Sequence, residues 1–306
     1  MDLNDELTFL TKSQRFIWAS QRSGYQHLYL YDLDGRLIRQ LTDGNWMVVG
    51  DGGARALVDV DEVRGRVYFM ANEASALERH LYAVPLRGRF PPSRITREPG
   101  WHSVAVSPDH KFFLEMYSNP ERPPRVQLRQ IDGEVIKTLI DNALDDSHPY
   151  APFRDAHVPT EFGTLQAADG QTLNYQMLKP THFDPGHKYP VIVDVYGGPG
   201  VQNVRRAWGP QFFRQVLAQS GYVVFTLDNR GSGFRGVAFE SVLHQRMPSV
   251  RRDASRTHAN ASGSRSTSVA PSLRRLRNSS VLARNCSSLS ASMDGSSALA
   301  SLTHRL

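Results

Sequence analysis

The sequence predicts the last blades of a β-propeller, followed by the first part of an α/β domain with a parallel sheet, and then by a disordered tail. Three observations lead to this fold class. Short strands repeat with a period near fifty residues over 1–150, and apolar strands flank a helix over 151–247. Over 248–306 the aromatic residues disappear altogether. These three ranges are the predicted domains.

The repeat in residues 1–150 is carried by side chains that recur in the same order. Two copies share an Arg, a His within a His-Leu segment and a Thr, and the matched pairs are Arg15/Arg66, His27/His80 and Thr42/Thr96. A third and looser copy begins at Lys111. A period near fifty with four strands per unit is typical of propeller blades, and the shared order favours them over the alternative, an ordinary β-sandwich. Because propellers have about four to eight blades, we expect the preceding blades to be absent from this chain.

Residues 151–247 have the pattern of a β-hairpin followed by a strand–helix–strand unit. The hairpin is predicted to turn at Asp169-Gly170. Buried strands are predicted over 191–195 and 222–227, with a helix over 211–219 that ends at a glycine. Apolar strands joined through a helix are typical of a parallel sheet with both faces covered.

The last segment, residues 248–306, has a composition unlike that of a folded domain. It contains 16 Ser, 9 Arg and 8 Ala, and no Phe, Trp, Tyr, Glu or Lys. Such a segment cannot bury enough apolar area to offset the entropy of ordering its chain, so we expect a disordered tail. We interpret it as translation out of frame in a GC-rich coding sequence. The alternative is a genuine disordered basic tail, and neither interpretation provides catalytic residues.

The charge and the cysteine content exclude several classes of function. The net charge of +6 comes from the tail, because the remainder of the chain is close to neutral. We therefore expect no nucleic-acid partner. The single cysteine, Cys286, excludes a disulfide within the chain. We expect no cofactor and no metal, since the spacing of His182 and His187 suits no metal-binding helix and predicts exposed side chains.

The N-terminus and the hydropathy bear on location. The first residues lack the basic and apolar regions of a signal peptide. No apolar run reaches the ~18 residues of a membrane span. The sequence assigns no location, and taken alone the chain would stay in the cytoplasm.

A glycine-rich loop after the predicted strand 191–195 is the best candidate for chemistry. Residues 196–200 read Tyr-Gly-Gly-Pro-Gly. Glycines allow a backbone to approach a substrate closely, and a neighbouring phenol can donate a hydrogen bond to a developing oxyanion. The alternative is a tight turn with a surface tyrosine, Tyr196.

Longer motifs link this loop to a known family. The strings HFDPGHKYPVIVDVYGGPG, DNRGSGFRG and FESVLHQRM, with WASQRSGYQHLYLYDLDG and LTDGNWMV upstream, cover residues 1–247 in a specific order and spacing. In them the chain resembles the dipeptidyl peptidase IV-like members of the prolyl oligopeptidase family. The resemblance implies a propeller followed by an α/β-hydrolase domain. It also implies a serine exopeptidase that releases N-terminal dipeptides after Pro or Ala with a Ser–Asp–His triad.

The resemblance carries over to one catalytic residue of this chain. Tyr196 matches the family's oxyanion-hole tyrosine. Peptide substrates, frequent homodimers and a periplasmic or secreted location are further properties that it implies for intact relatives. The glutamates that hold the substrate amine in relatives precede Met1, so no substrate-binding residue is assigned here.

The nucleophile of such an enzyme is missing from the sequence. No Gly-x-Ser-x-Gly occurs in the 306 residues. Ser232 lacks the spacing of a nucleophile turn, and His304 lies in the tail. The pair Asp61-Glu62 is interpreted as a solvated turn in a stretch that connects blades. We therefore expect a catalytically inactive chain.

Two alternatives stay open at this point. The first is another enzyme of the same family, an acylaminoacyl peptidase or an oligopeptidase. The second is a non-enzymatic module in which the propeller remnant or the basic tail binds a partner.

Overall fold

Three four-stranded antiparallel sheets form the first part of the computed structural model, which describes residues 6–50, 55–209 and 212–244. Blade 1 contains β1 (Leu7–Leu10), β2 (Arg15–Ser20), β3 (His27–Asp32) and β4 (Leu37–Gln40). Blade 2 contains β5 (Leu57–Asp61), β6 (Arg66–Ala71), β7 (His80–Pro85) and β8 (Ser93–Arg94). Blade 3 contains β9 (Trp101–Val106), β10 (Phe112–Asn119), β11 (Arg122–Gln130) and β12 (Val135–Ile140). The predicted tail, with Cys286 and His304, lies outside the described residues.

The repeated histidine and threonine form the same buried hydrogen-bonded unit in blades 1 and 2. Nδ1 of His27 lies 3.0 Å from Oγ1 of Thr42, which also accepts a hydrogen bond from the N–H of the residue after the histidine, at 3.0 Å. The equivalent distances for His80 and Thr96 are 3.2 and 2.9 Å. Burial lowers the pKa of both imidazoles, which therefore stay neutral at physiological pH. The repeat seen in the sequence thus reflects a buried polar contact that each blade must satisfy.

Blade 2 packs against a neighbouring blade on each face, which explains why β6 is almost continuously apolar. Val67 and Phe69 lie in one cluster with Leu28 of blade 1. Tyr68, between them in sequence, lies in a second cluster with Phe113 of blade 3. Alternate side chains of a strand point to opposite faces, so both sets are buried.

Blades 1 and 3 leave apolar side chains exposed among the described residues. Phe9 on β1 is 64% exposed, and all six residues of β12 are exposed. The three blades therefore do not close into a ring, as expected for part of a propeller.

The fourth sheet is mixed and contains the predicted hairpin. Its strands are β13 (Glu161–Gln166), β14 (Thr172–Leu178), β15 (Val191–Asp194) and β16 (Val223–Leu227), in the order β13-β14-β16-β15. Only the β15–β16 pair is parallel. The parallel pairing predicted for the strand–helix–strand unit is found between β15 and β16, and the predicted hairpin adds to β16 through antiparallel pairing.

Helices cover the two faces of this sheet. The helix α1 (Phe212–Gln219) packs Leu217 against Val224, and Phe239 of the short helix α2 (Val237–Glu240) packs against Leu227 on the other face. Short 3₁₀ helices occupy Ala151–Ala156 and Ser241–Leu243. The predicted fold class is confirmed as a partial β-propeller followed by the N-terminal part of an α/β-hydrolase domain.

Replacing Thr42 or Thr96 with Val is expected to destabilise the protein. Valine keeps the shape but removes the oxygen, which leaves a buried N–H without its acceptor. The free energy of unfolding should fall by about 1–3 kcal/mol for each substitution, measured by urea denaturation.

The control for this prediction is Thr138→Val, because Thr138 is exposed on β12. A loss of stability at Thr138 as large as that at Thr42 would show that the threonine repeat is not a structural unit.

Candidate functional site

Two loops leave the carboxyl ends of the parallel strands and lie side by side. The first loop (residues 195–206) follows β15, and the second loop (residues 228–236) follows β16. Crevices at the carboxyl ends of such strands are where α/β sheets bind ligands. Arg214 of α1 fixes the end of β15, because its Nε donates to Oδ2 of Asp194 at 2.7 Å.

Glycines let the two loops touch through their backbones. The N–H of Gly200 donates to the carbonyl of Gly231 at 3.0 Å. A Cβ atom on Gly233 would lie 2.5 Å from the carbonyl oxygen of Gly200. No larger residue fits at Gly233 without separating the loops.

Tyr196 stands at the start of the first loop. Its side chain is 56% exposed, so the phenol is accessible from outside. The ring lies against the backbone of Gly198, where a Cβ atom would be 2.6 Å from Cε1 of the tyrosine. Gly197 and Gly200 have φ values of 71° and 75°, the left-handed region that glycine favours.

Asp228 fixes the far end of the first loop and was missed by the sequence analysis. Its carboxylate accepts hydrogen bonds from the backbone N–H groups of Asn203 at 2.8 Å and Val204 at 3.1 Å. Only 3% of the residue is exposed. Burial raises the pKa of Asp228 to about 6, against the opposing effect of these two hydrogen bonds and of Arg235. The carboxylate is therefore largely ionised at neutral pH.

Two arginines hold the second loop against helix α2. Nη2 of Arg230 donates to the carbonyl of Ala238 at 2.8 Å, and Arg230 also forms an ion pair with Asp169. Nη2 of Arg235 donates to the carbonyl of Thr172 at 3.0 Å. Both guanidinium groups lie over the ring of Phe239, at 5.1 and 4.5 Å from its centroid.

Blades 1 and 2 also hold the second loop and the residue after it. Nδ2 of Asn72 donates to the carbonyl of Phe234 at 2.9 Å. The N–H of Val237 donates to the carbonyl of Gly24 at 2.8 Å. The second loop is therefore held in place by contacts from both the sheet and the blades.

The other residues considered in the sequence do not join this site. Ser232 is buried in the second loop, so its hydroxyl is not presented as a nucleophile. His182 and His187 are exposed, as predicted. Within residues 6–50, 55–209 and 212–244, no group of three or more His, Cys, Asp or Glu side chains is placed to hold a metal ion.

The interpretation of Asp61-Glu62 as a solvated turn between blades was wrong. The pair lies at the β5–β6 hairpin within blade 2, and Asp61 is only 2% exposed. The carboxylate of Asp61 accepts hydrogen bonds from the N–H groups of Val63 and Arg64 at 3.0 and 2.8 Å, so it caps the turn. The carboxylate of Glu62 accepts a hydrogen bond from the N–H of Lys12 at 3.1 Å.

Comparison with known proteins identifies the family. A family model described as the dipeptidyl peptidase IV (DPP IV) N-terminal region matches residues 1–124. The chain is 38% identical to a probable dipeptidyl-aminopeptidase B of Emericella nidulans over 224 residues, which cover 72% of this chain and 24% of that protein. It is 35% identical to dipeptidyl peptidase 8 of Homo sapiens over 225 residues, 70% of this chain and 24% of that protein.

A solved structure agrees with these sequences. The crystal structure of Porphyromonas gingivalis dipeptidyl peptidase 4 superposes with a TM-score of 0.74 at 28% identity, covering 84% of this chain and 35% of that chain. The chain belongs to the dipeptidyl peptidase IV family. This family member spans about a quarter of the length of the two curated relatives named above. Of its helices in the described ranges, none is long and apolar enough to cross a membrane.

Replacing Asp228 with Asn in this dipeptidyl peptidase IV family member is expected to change how stability depends on pH. A carboxyl group whose pKa is raised on folding from 3.8 to about 6 holds its proton more tightly in the folded state. Its contribution to the free energy of unfolding is present at about pH 4 and is lost as the pH rises through about 6. The free-energy difference between wild type and Asp228→Asn should therefore fall by roughly 2 kcal/mol between about pH 4 and pH 7.

Urea denaturation at several pH values measures this difference. Asp155→Asn is the matched control, because it removes one negative charge from a side chain that is 99% exposed. If the stabilities of wild type and Asp228→Asn stay parallel over this pH range, the buried carboxyl does not titrate as described.

Proposed function

We propose that the chain carries the oxyanion-binding part of a serine-type dipeptidyl peptidase site, with Tyr196 as the donor. The observation that carries this proposal is an accessible phenol on a glycine loop at the carboxyl end of β15. The curated relatives described above bear dipeptidyl peptidase names, which favours a dipeptide-releasing enzyme over the other branches of the family. In this proposal the propeller part ends near residue 150 and the hydrolase part occupies 151–247.

The proposed chemistry of Tyr196 is stabilisation of the transition state. When a nucleophile attacks a peptide carbonyl, negative charge develops on the carbonyl oxygen. A phenol O–H that is already directed at that oxygen donates a hydrogen bond without reorganisation at the moment of reaction. The contacts of the first loop with Gly231 and Asp228 support this role, because they hold the tyrosine's loop in one conformation.

We also propose that the 306-residue chain does not turn over substrate. A Ser–His–Asp peptidase requires its serine on an exposed turn, and the sequence contains no Gly-x-Ser-x-Gly. An oxyanion donor without a nucleophile stabilises no transition state in this reaction.

The purified chain is expected to release no p-nitroaniline from Gly-Pro-p-nitroanilide above the rate of a buffer blank. The physical reason is the missing nucleophile, and absorbance at fixed substrate concentration is the measurement. An active dipeptidyl peptidase of the family serves as the positive control. Release that is abolished by a serine-directed phosphonate would disprove the inactivity.

The role of Tyr196 is tested in a chimera. Residues 1–244 of this chain replace the aligned segment of the Emericella nidulans relative, which supplies the remaining peptidase sequence. Tyr196→Phe is expected to lower kcat by roughly 10²-fold with little change in KM, because the phenol acts on the transition state. Tyr189→Phe, at the other end of β15, is the matched control and should keep kcat. Equal activity of the chimera and its Tyr196→Phe variant would refute the role.

A further inference from the structure

Four consecutive residues of blade 2, 76–79, contact the first loop. The carbonyl of Ala76 accepts a hydrogen bond from Nε2 of Gln202 at 2.7 Å. The carbonyl of Leu77 accepts one from the N–H of Arg206 at 2.9 Å. Oε1 of Glu78 lies 3.6 Å from Nη1 of Arg206. This strip of the propeller therefore holds the half of the loop that follows Gly200.

The last residue of the strip, Arg79, contacts both loops. Its Nη2 donates to Oε1 of Gln202 in the first loop at 2.7 Å. Its guanidinium carbon lies 4.8 Å from the ring centroid of Phe234 in the second loop and 4.5 Å from that of Trp101. One planar group thus bridges the two loops from a position in blade 2.

The contact with Phe234 involves an unusual backbone conformation. Phe234 has a φ of 66°, in the left-handed region that a bulky side chain rarely adopts. Its carbonyl accepts the hydrogen bond from Asn72 described above. Such a conformation persists only where surrounding contacts impose it, and here both contacts come from blade 2.

The burial of Arg79 makes these contacts specific. The residue is 0% exposed, and a buried guanidinium is tolerated only when its donors and faces are matched by partners. Nη1 of Arg79 donates a further hydrogen bond to the backbone carbonyl of Glu78 at 2.8 Å. Lysine has no planar fork, so it cannot lie over the rings of Trp101 and Phe234 and donate to both Gln202 and Glu78.

We propose that Arg79 is a positioning residue that fixes the two loops relative to each other and thereby sets the direction of the Tyr196 phenol. The contacts of Arg79 with Gln202 and Phe234 support the coupling of the two loops directly. The consequence of this coupling for catalysis rests on the proposed function of Tyr196.

Hydrogen–deuterium exchange of the full 306-residue chain tests the coupling without requiring activity. Arg79→Met removes the guanidinium and keeps an apolar side chain of similar length. Exchange should become faster by roughly tenfold in peptides covering both 198–206 and 229–237, because hydrogen bonds to a charged donor are lost and the loops open more often. Gln202→Leu should accelerate exchange in 198–206 only. The double variant should accelerate exchange in 198–206 by less than the product of the two single effects, because both changes remove the hydrogen bond between Arg79 and Gln202.

Arg125→Met is the matched control, because the Arg125 guanidinium lies 5.0 Å from the ring centroid of Tyr117 within blade 3. It should leave the exchange rates of both loops unchanged. Arg79→Lys should raise the exchange rate in 198–206 by about as much as Arg79→Met does. A rise in exchange for Arg79→Met that is uniform over all three blades, or confined to one loop, would overturn the proposal, as would unchanged loops.

The chimera separates this proposal from the role of Tyr196. Arg79→Met is expected to lower its kcat more than it raises KM, by roughly tenfold, because a displaced donor weakens transition-state binding. If exchange shows the coupling but Tyr196→Phe leaves kcat unchanged, the positioning of the phenol is overturned together with the proposed function. If Tyr196→Phe lowers kcat while Arg79→Met changes neither exchange nor kcat, only the inference about Arg79 fails.

Discussion

The parallel pairing of β15 with β16 is the constraint on which the rest of the site depends. Because Val191 pairs with Val223 in register, both strands end at the same level and release their loops side by side. The glycines of the two loops then meet backbone to backbone, which leaves no room for a side chain at Gly233. Asp228, the first residue after β16, is brought within reach of the first loop by the same register. A slip of one residue would turn every side chain of the strand to the opposite face.

The propeller acts as a second support for these loops. Its own stability comes from local units, the buried histidine–threonine contacts and the two apolar faces of blade 2. It contacts the site through the strip 76–79, which lies just before β7, and through Asn72 and Gly24. A loop fixed from two sides, by a sheet and by a blade, provides the preorganisation that oxyanion binding requires.

The sequence predicted those features that depend on local pattern. The recurrence of His27 and Thr42 as His80 and Thr96 was enough to find the blades, because each pair satisfies a contact within one blade. The glycine loop with Tyr196 was recognisable because its residue types follow directly after an apolar strand. Asp228 and Arg79 were not found, since their partners lie about 25 and 120 residues away in sequence and a single sequence carries no record of such contacts. The solvated interpretation of Asp61 failed for a related reason: an acidic residue in a turn is buried when it caps that turn.

The antiparallel pairing of β14 with β16 has a consequence for how the chain folds. Each blade forms from hairpins whose strands are joined by short turns, so its contacts close at low entropic cost. Tyr175, in contrast, pairs with Leu227 across about fifty residues that include β15 and α1. Contacts between residues so far apart in sequence form slowly, because a long loop must close before any pairing stabilises it. The order of assembly favoured by chain entropy therefore puts the blades before the strand ends that hold the tyrosine loop.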